Sequence, residues 1–170
     1  MEIRKAELED LQAITDIYND AVIKTTATFD TEPTTLDAQK VWFNQHGADY
    51  PLLVCTKDDQ VVGWAALSSW SDRCSYKTTS EVSIYVAEQS RGQGFGNQLL
   101  EALIQAGKQS GIHLAVARIA EGNPASVALH EKYGFKISGK MSEAGYKFGN
   151  FLDVIFMEQL LDGSRKPKAQ

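Results

Sequence analysis

A strand-like run, Glu81-Val82-Ser83-Ile84-Tyr85-Val86, leads into a turn holding Gly92, Gly94 and Gly96, and then into a helical run over residues 98–110. Few features constrain a chain more, because a strand feeding a helix in this way commits both to one β-turn-α unit. Glycine lets the backbone approach a ligand with no Cβ in the way. The first N–H groups of a helix lack intrahelical acceptors and sit at the positive end of its dipole, where phosphate binds. Glycine spacing alone leaves two uses open, an anion cradle and a plain chain reversal.

The segments on either side follow a regular order. Gly111 ends the helix, and residues 112–119, Ile-His-Leu-Ala-Val-Ala-Arg-Ile, are nearly continuously apolar, as in a strand inside a sheet. Strand, helix and strand make a right-handed βαβ unit. Upstream, residues 2–6 read as a short strand. Residues 7–24 read as a helix, with Leu8, Leu11, Ile14, Ile17, Tyr18, Ala21 and Val22 on one face. A polar loop over 25–33 carries Phe29, either an anchor over the core or a pocket wall. Thr34 or Thr35 caps a second helix running to His46, expected as a C-terminal dipole partner. Residues 51–57 and 61–67 flank Asp58-Asp59-Gln60 as an antiparallel hairpin. The long polar loop 68–79 holds Trp70, Arg73, Tyr76 and Lys77.

After the βαβ unit, Asn123 and Pro124 fit the N-cap and first position of a helix reaching Tyr133, stopped by Gly134. Residues 135–140, and a run from Phe148 or Phe151 to Leu160, are expected as closing antiparallel strands. The reading is one α/β domain (mixed α+β) over residues 1–161, with 162–170 a frayed tail.

A net charge of −5 argues against general nucleic-acid or anionic-membrane binding, so an anion site must rest on local groups such as Arg91 and backbone N–H. The N-terminal stretch is charged from Glu2 and does not read as a signal peptide, and no apolar run approaches the ~20 residues that span a bilayer. Cys55 and Cys74 form no Cys-x-x-Cys and have no His at zinc-ligand spacing, so no metal and no disulfide are expected. Free thiols fit a cytoplasmic protein.

A dinucleotide fingerprint wants its glycines at the strand end of the first βα unit; here residues 87–90 intervene and the unit lies mid-chain. No Gly-Lys-Ser/Thr follows, so a Walker loop is excluded. The spacing does match Arg-x-x-Gly-x-Gly, as Arg91-Gly92-Gln93-Gly94-Phe95-Gly96. A second segment, Asn123-Pro124-Ala125-Ser126 through Leu129-His130 to Gly134-Phe135, stands in the right place after it. Together they resemble the acetyl-CoA signature and late motif of the GNAT N-acetyltransferase superfamily. Residues 79–86, Leu129-His130-Glu131 and Gly145-Tyr146-Lys147-Phe148-Gly149 are similar to its phosphinothricin and methionine sulfoximine/sulfone acetyltransferases. The superfamily's usual Tyr after Leu is His130 here, a departure shared with that branch.

The resemblance implies a central, mostly antiparallel sheet with a splayed parallel βαβ unit and flanking helices. It implies that acetyl-CoA lays its pyrophosphate on residues 91–96 and its pantetheine along Ile84, Tyr85 and Val86, adding to the strand like an extra strand. Five steps back from Val86 to Glu81 cover ~17 Å, which would bring the acetyl group near Glu81. Asn123, Ser126 and Tyr133 are expected at the cofactor, and Asn123 has both a cap and a cofactor role open to it. No metal enters.

Transfer needs a neutral amine, a polarised carbonyl and a proton for the thiolate. Glu81 is the expected general base, its bland alternative being an edge charge paired with Arg73 or Lys77. His130 is the second acid/base candidate, and Tyr133 an alternative proton donor. A backbone N–H near Ser83 or Ile84 would polarise the carbonyl. For a small amine acceptor, Arg73 is expected on the α-carboxylate, with Phe29, Tyr76, Lys77 and Glu81 around it. The resemblance also implies a homodimer, with the hairpin 145–150 near the partner's site. Rival readings are acetylation of protein N-termini, lysine or polyamines, a non-catalytic acyl-CoA-binding regulator, and a dinucleotide oxidoreductase.

Overall fold

The computed structural model describes residues 1–162. Seven strands, β1 (Glu2–Lys5), β2 (Leu52–Lys57), β3 (Gln60–Ser69), β4 (Thr79–Val86), β5 (Leu114–Ala120), β6 (Lys136–Lys147) and β7 (Asn150–Leu160), form one sheet. Its order is β1-β2-β3-β4-β5-β7-β6. Four helices flank it: α1 (Leu11–Lys24), α2 (Leu36–Phe43), α3 (Phe95–Gln109) and α4 (Pro124–Lys132).

Alternation along the strands divides the side chains between two cores. Val82, with Leu53, Leu67, Ala115, Ala117 and Ile119, packs against Phe95, Leu99, Leu100 and Leu103 of α3. The opposite face gathers Leu52, Val54, Trp64 and Ala66 against Ile14 of α1, with Tyr18, Trp42 and Tyr85 at its margin. Each fully buried leucine contributes about 1.5–3 kcal/mol of transfer free energy. The two helical layers therefore fix the sheet independently on each face.

The sheet is antiparallel except where β4 meets β5. That parallel pairing covers only Thr79↔Leu114, Ser80↔Ala115 and Glu81↔Val116. Beyond it, β4 stays paired to β3 as far as Val86, and β5 stays paired to β7 as far as Ala120. The two strands thus diverge into a wedge, as the expected splayed unit requires.

Boundaries depart from the sequence-based ones for identifiable reasons. The third helix begins at Phe95 and not at 98, because Gly94 is its N-cap at φ 88°, a left-handed conformation suited to glycine. The second ends at Phe43, and His46 lies beyond it, donating from Nδ1 to the Trp42 carbonyl at 2.9 Å. Gln60 belongs to β3, since Asp58 and Asp59 alone make the turn with φ of 51° and 59°. The strand expected over 135–140 runs on to Lys147. Register shifts between Ile137 and Gly139 and between Met141 and Gly145 break its alternation, which hid its length. Of the expected tail, Asp162 accepts a bond from His113 at 3.0 Å, and the rest lies outside the described residues.

Candidate active site

A cavity of about 550 Å³ opens in the wedge between β4 and β5. Its floor comes from both diverging strands, residues 81–85 and 117–120. On β4 the N–H and C=O groups past Glu81 that face away from β3 have no partner strand. A ligand carrying amides can occupy that edge as an added strand does.

At one end of the wedge lies the glycine turn. Gly92 and Gly94 adopt φ of 74° and 88°, and a Cβ on either would meet nothing within 4 Å. Glycine is needed there for the backbone angle, and the space before it remains open for an anion. Arg91 donates from Nε to the Val86 carbonyl at 3.2 Å, which ties the turn to the strand end. Gly96 lies against Leu129 of α4, where an added Cβ would come within 3.5 Å of a leucine methyl, so the two helices meet at this turn. Phe95 is buried in the core and anchors the first turn of α3. Gln93 accepts a bond from Lys57 Nζ at 3.1 Å.

At the other end lies Glu81, and its partner was not foreseen. Arg118 donates from Nε to Oε1 at 2.6 Å and from Nη2 to Oε2 at 2.7 Å. Neither Arg73 nor Lys77 pairs with Glu81 among the described residues. The signal was present in the sequence, since Arg118 is the charged residue of an otherwise apolar strand. Its guanidinium also lies 6.0 Å from the Trp70 ring centroid, within cation–π range.

His130 projects from α4 and is only 2% exposed. Its Nδ1 is 2.8 Å from the Ser126 carbonyl, so Nδ1 carries the proton and Nε2 is the acceptor. Nε2 is buried and has no hydrogen-bond partner among the described residues. Burial lowers the imidazole pKa, with the Ser126 carbonyl opposing. The ring is therefore neutral at neutral pH and packs edge-on to Phe135 at 5.0 Å. Asn123 caps α4 through Oδ1, which accepts the Ser126 N–H at 3.2 Å. Its Nδ2 remains a donor, so the cap and a cofactor contact do not exclude each other. His130, Asn123 and Ser126 all line the cavity.

The third wall is aromatic. Tyr85 packs on Trp64 (4.8 Å) and Tyr18 (5.2 Å) and donates from Oη to the Ala27 carbonyl at 3.3 Å. Burial raises the pKa of Tyr85 and pushes that of Tyr18 up to about 12, so both remain neutral donors. Tyr18 Oη bonds Asp30 Oδ2 at 2.7 Å, and its 2.9 Å contact with Thr28 Oγ1 fixes the loop over the cavity. Phe29 on that loop lies over Gly145, and Lys147, 4% exposed, donates to the Thr28 carbonyl at 2.8 Å. Tyr18, Trp42, Trp64 and Asp30 line the cavity too, but sequence periodicity put Tyr18 on a packing face and singled out none of the other three as pocket residues.

The structure thus gathers Glu81, His130, Ile84, Tyr85, Asn123, Ser126 and Phe29 around one cavity. Val86 and residues 91–96 continue its β4 side. Arg73, Tyr76 and Lys77 are exposed on their loop and do not line it. Tyr133 does not line it either. It faces Lys132, whose Nζ lies 5.5 Å from its ring, and burial with the charge of Glu101 raises its pKa.

A family model described as an acetyltransferase (GNAT) domain matches residues 3–156. The chain is 42% identical over 165 residues to the L-methionine sulfoximine/L-methionine sulfone acetyltransferase of Pseudomonas aeruginosa, covering 96% of each. It is 37% identical over 165 residues to the phosphinothricin N-acetyltransferase of Streptomyces coelicolor, covering 95% of this chain and 96% of that one. Among solved structures it is similar to a GNAT superfamily phosphinothricin acetyltransferase from Sinorhizobium meliloti in complex with AcCoA. The TM-score is 0.94 at 32% identity, over 99% of this chain and 93% of that one.

Proposed function

Since the chain belongs to the acetyltransferase (GNAT) domain family, we propose that it is an acetyl-CoA-dependent N-acetyltransferase. Its acceptor is a small amino-acid-like amine of the phosphinothricin, methionine sulfoximine or methionine sulfone type, the substrates for which its relatives are named. The observation that carries the reading is a fixed carboxylate, Glu81, in a cavity between two diverging strands whose far end is a glycine turn opening a helix.

Residues 91–96, the free edge of β4 over Ile84, Tyr85 and Val86, and the Asn123 and Ser126 side chains would hold the cofactor. Bound there, acetyl-CoA supplies a thioester whose C–S bond breaks as the acceptor nitrogen bonds the carbonyl carbon. Glu81 takes the proton from the amine. A β4 N–H near Ser83 or Ile84 stabilises the oxyanion. His130, with Nδ1–H fixed and Nε2 a lone-pair acceptor, serves as a second base and not as the acid, because in the neutral tautomer Nε2 has no proton to give. Tyr133, which keeps its proton, is the sequence-based candidate to protonate the thiolate, and it lies outside the cavity lining. Cys55 is buried in the α3-side core and Cys74 is exposed on the loop, so neither cavity-lining residues nor their neighbours offer an acyl-carrying thiol. That supports direct attack in a ternary complex.

The β6–β7 hairpin at the sheet edge exposes Ile137, Met141, Tyr146, Phe148 and Phe151, each more than half accessible. An apolar sheet edge of this kind supports a homodimer in which the hairpin 145–150 meets the partner. The cysteines are unbridged, which supports a cytoplasmic setting. Among the described residues no helix is long and apolar enough to cross a membrane.

The test is thiol release from acetyl-CoA across methionine sulfone, methionine sulfoximine, phosphinothricin, polyamines and peptides. Turnover on the amino-acid-like amines is expected. Turnover confined to peptides or polyamines overturns the acceptor class, and cofactor binding without turnover on any amine returns the chain to a regulator.

A further inference from the structure

The Glu81–Arg118 pair raises a question of use, because a general base is seldom placed under a bidentate guanidinium without a reason. Arg118 lies two residues beyond Val116, the parallel partner of Glu81, so its side chain crosses the wedge where the strands have begun to part. Its Nε–Nη2 edge takes both carboxylate oxygens, at 2.6 and 2.7 Å. A guanidinium has five N–H donors and a second edge, Nη1–Nη2. On Arg118 that edge has no partner among the described residues, and both members of the pair line the cavity. Just over half of the Arg118 side chain is accessible, whereas Glu81 is three-quarters covered.

An α-amino acid carries an amine and a carboxylate on one carbon. The floor of the cavity carries their complements side by side, a carboxylate with lone pairs to spare and a guanidinium with an unspent edge. We propose that Glu81 and Arg118 together are the receptor for the zwitterionic end of the acceptor, Glu81 taking the amine and the Nη1–Nη2 edge of Arg118 taking the α-carboxylate. The role falls to Arg118 and not to Arg73, which lies outside the cavity lining. Arg118 keeps hold of Glu81 throughout, so one side chain aims the base and selects the acid. A lysine cannot do both, since it is a point charge without two planar edges. The inference rests on the acetyl-transfer reading above and adds to it the group that recognises the acceptor's acid.

The experiment compares methionine sulfone with its α-carboxamide, which has the same shape and reacting amine but no negative charge. Wild type is expected to favour the acid in kcat/KM by on the order of 100-fold, the upper range for a hydrogen bond to a charged group against a neutral one. Arg118→Gln should lower kcat/KM for the acid far more than for the amide, chiefly through KM, so that the ratio falls to about 10 or less. Arg118→Lys should recover only part of the preference, with thermal melts showing that both variants are folded. Equal losses on acid and amide would leave Arg118 as a support for Glu81 alone and overturn the proposal, as would a wild type indifferent to the charge. A wild type that turns over neither compound yet acetylates peptides removes the acceptor reading itself, and the receptor falls with it.

Discussion

The double use assigned to Asn123 can be separated with two substitutions. The Ser126 N–H is shared between Asn123 Oδ1 at 3.2 Å and the Asn123 carbonyl at 3.2 Å. The side chain thus supplies half of a bifurcated bond, and losing it should cost in the lower part of the usual capping range, about 0.5–1 kcal/mol. Serine caps helices as well as asparagine but brings no amide N–H₂. The donor, if it reaches the cofactor's amides, is a neutral hydrogen bond of about 0.5–1.5 kcal/mol. At 1.4 kcal/mol per decade that is a rise of about 2- to 10-fold in the KM for acetyl-CoA. Asn123→Ala should therefore lose both, and Asn123→Ser only the second. Urea denaturation reports the stability and initial rates report the KM. A serine variant with unchanged KM refutes the donor role. An alanine variant as stable as wild type refutes the cap.

Glu81→Gln should cut kcat by about 10²–10⁴-fold near neutral pH, the usual range for a lost base, and full retention of turnover removes Glu81 from that role. His46 and His130 both have pKa values lowered by burial. The unfolded chain then binds more protons than the folded one as pH drops through about 6.5, so stability should fall between pH 7.5 and 5.5. A Tm flat across that window, or one whose slope is untouched in His130→Gln, contradicts this. Asp10 acts in the same sense at lower pH. Arg4 bonds it at 2.7 and 2.8 Å and lowers its pKa, so its contribution is present above about pH 4 and lost below, and Asp10→Asn should flatten the acid limb of the Tm profile. Gly145→Ala puts a methyl group into the Phe29 ring, and should cost about 1–3 kcal/mol while raising the acceptor KM; an unchanged KM means that Phe29 does not shape the pocket.

Most of the fold was legible because its signals are local. The strand 81–86, the glycine turn and the Asn123-Pro124 helix start each carry their reason within a few residues. The wedge was expected only through family resemblance, since nothing in the alternation of β4 or β5 says where their pairing stops. Glu81 was recognised as an acid on an apolar strand, but its partner lies 37 residues on, in a strand read only for its hydrophobicity. Arg73 drew the carboxylate role mainly from the family-branch resemblance; whether it lines the cavity depends on the fold of its loop, which no pattern reports. Likewise nothing in the sequence marked Lys147, placed there only in the closing hairpin, as buried.

That lysine also has a bearing on how the protein is made. Its bond to the Thr28 carbonyl joins residues 119 apart, and Phe29 beside it rests on Gly145. Contacts of such separation form late, because the loop they close must be ordered first. On a ribosome the N-terminal residues emerge first. The loop that roofs the acceptor cavity then has nothing to fasten to until residue 147 has left the exit tunnel. The pocket can be roofed only after the closing hairpin has emerged, and a nascent chain stalled before it would carry Glu81 in an open wedge.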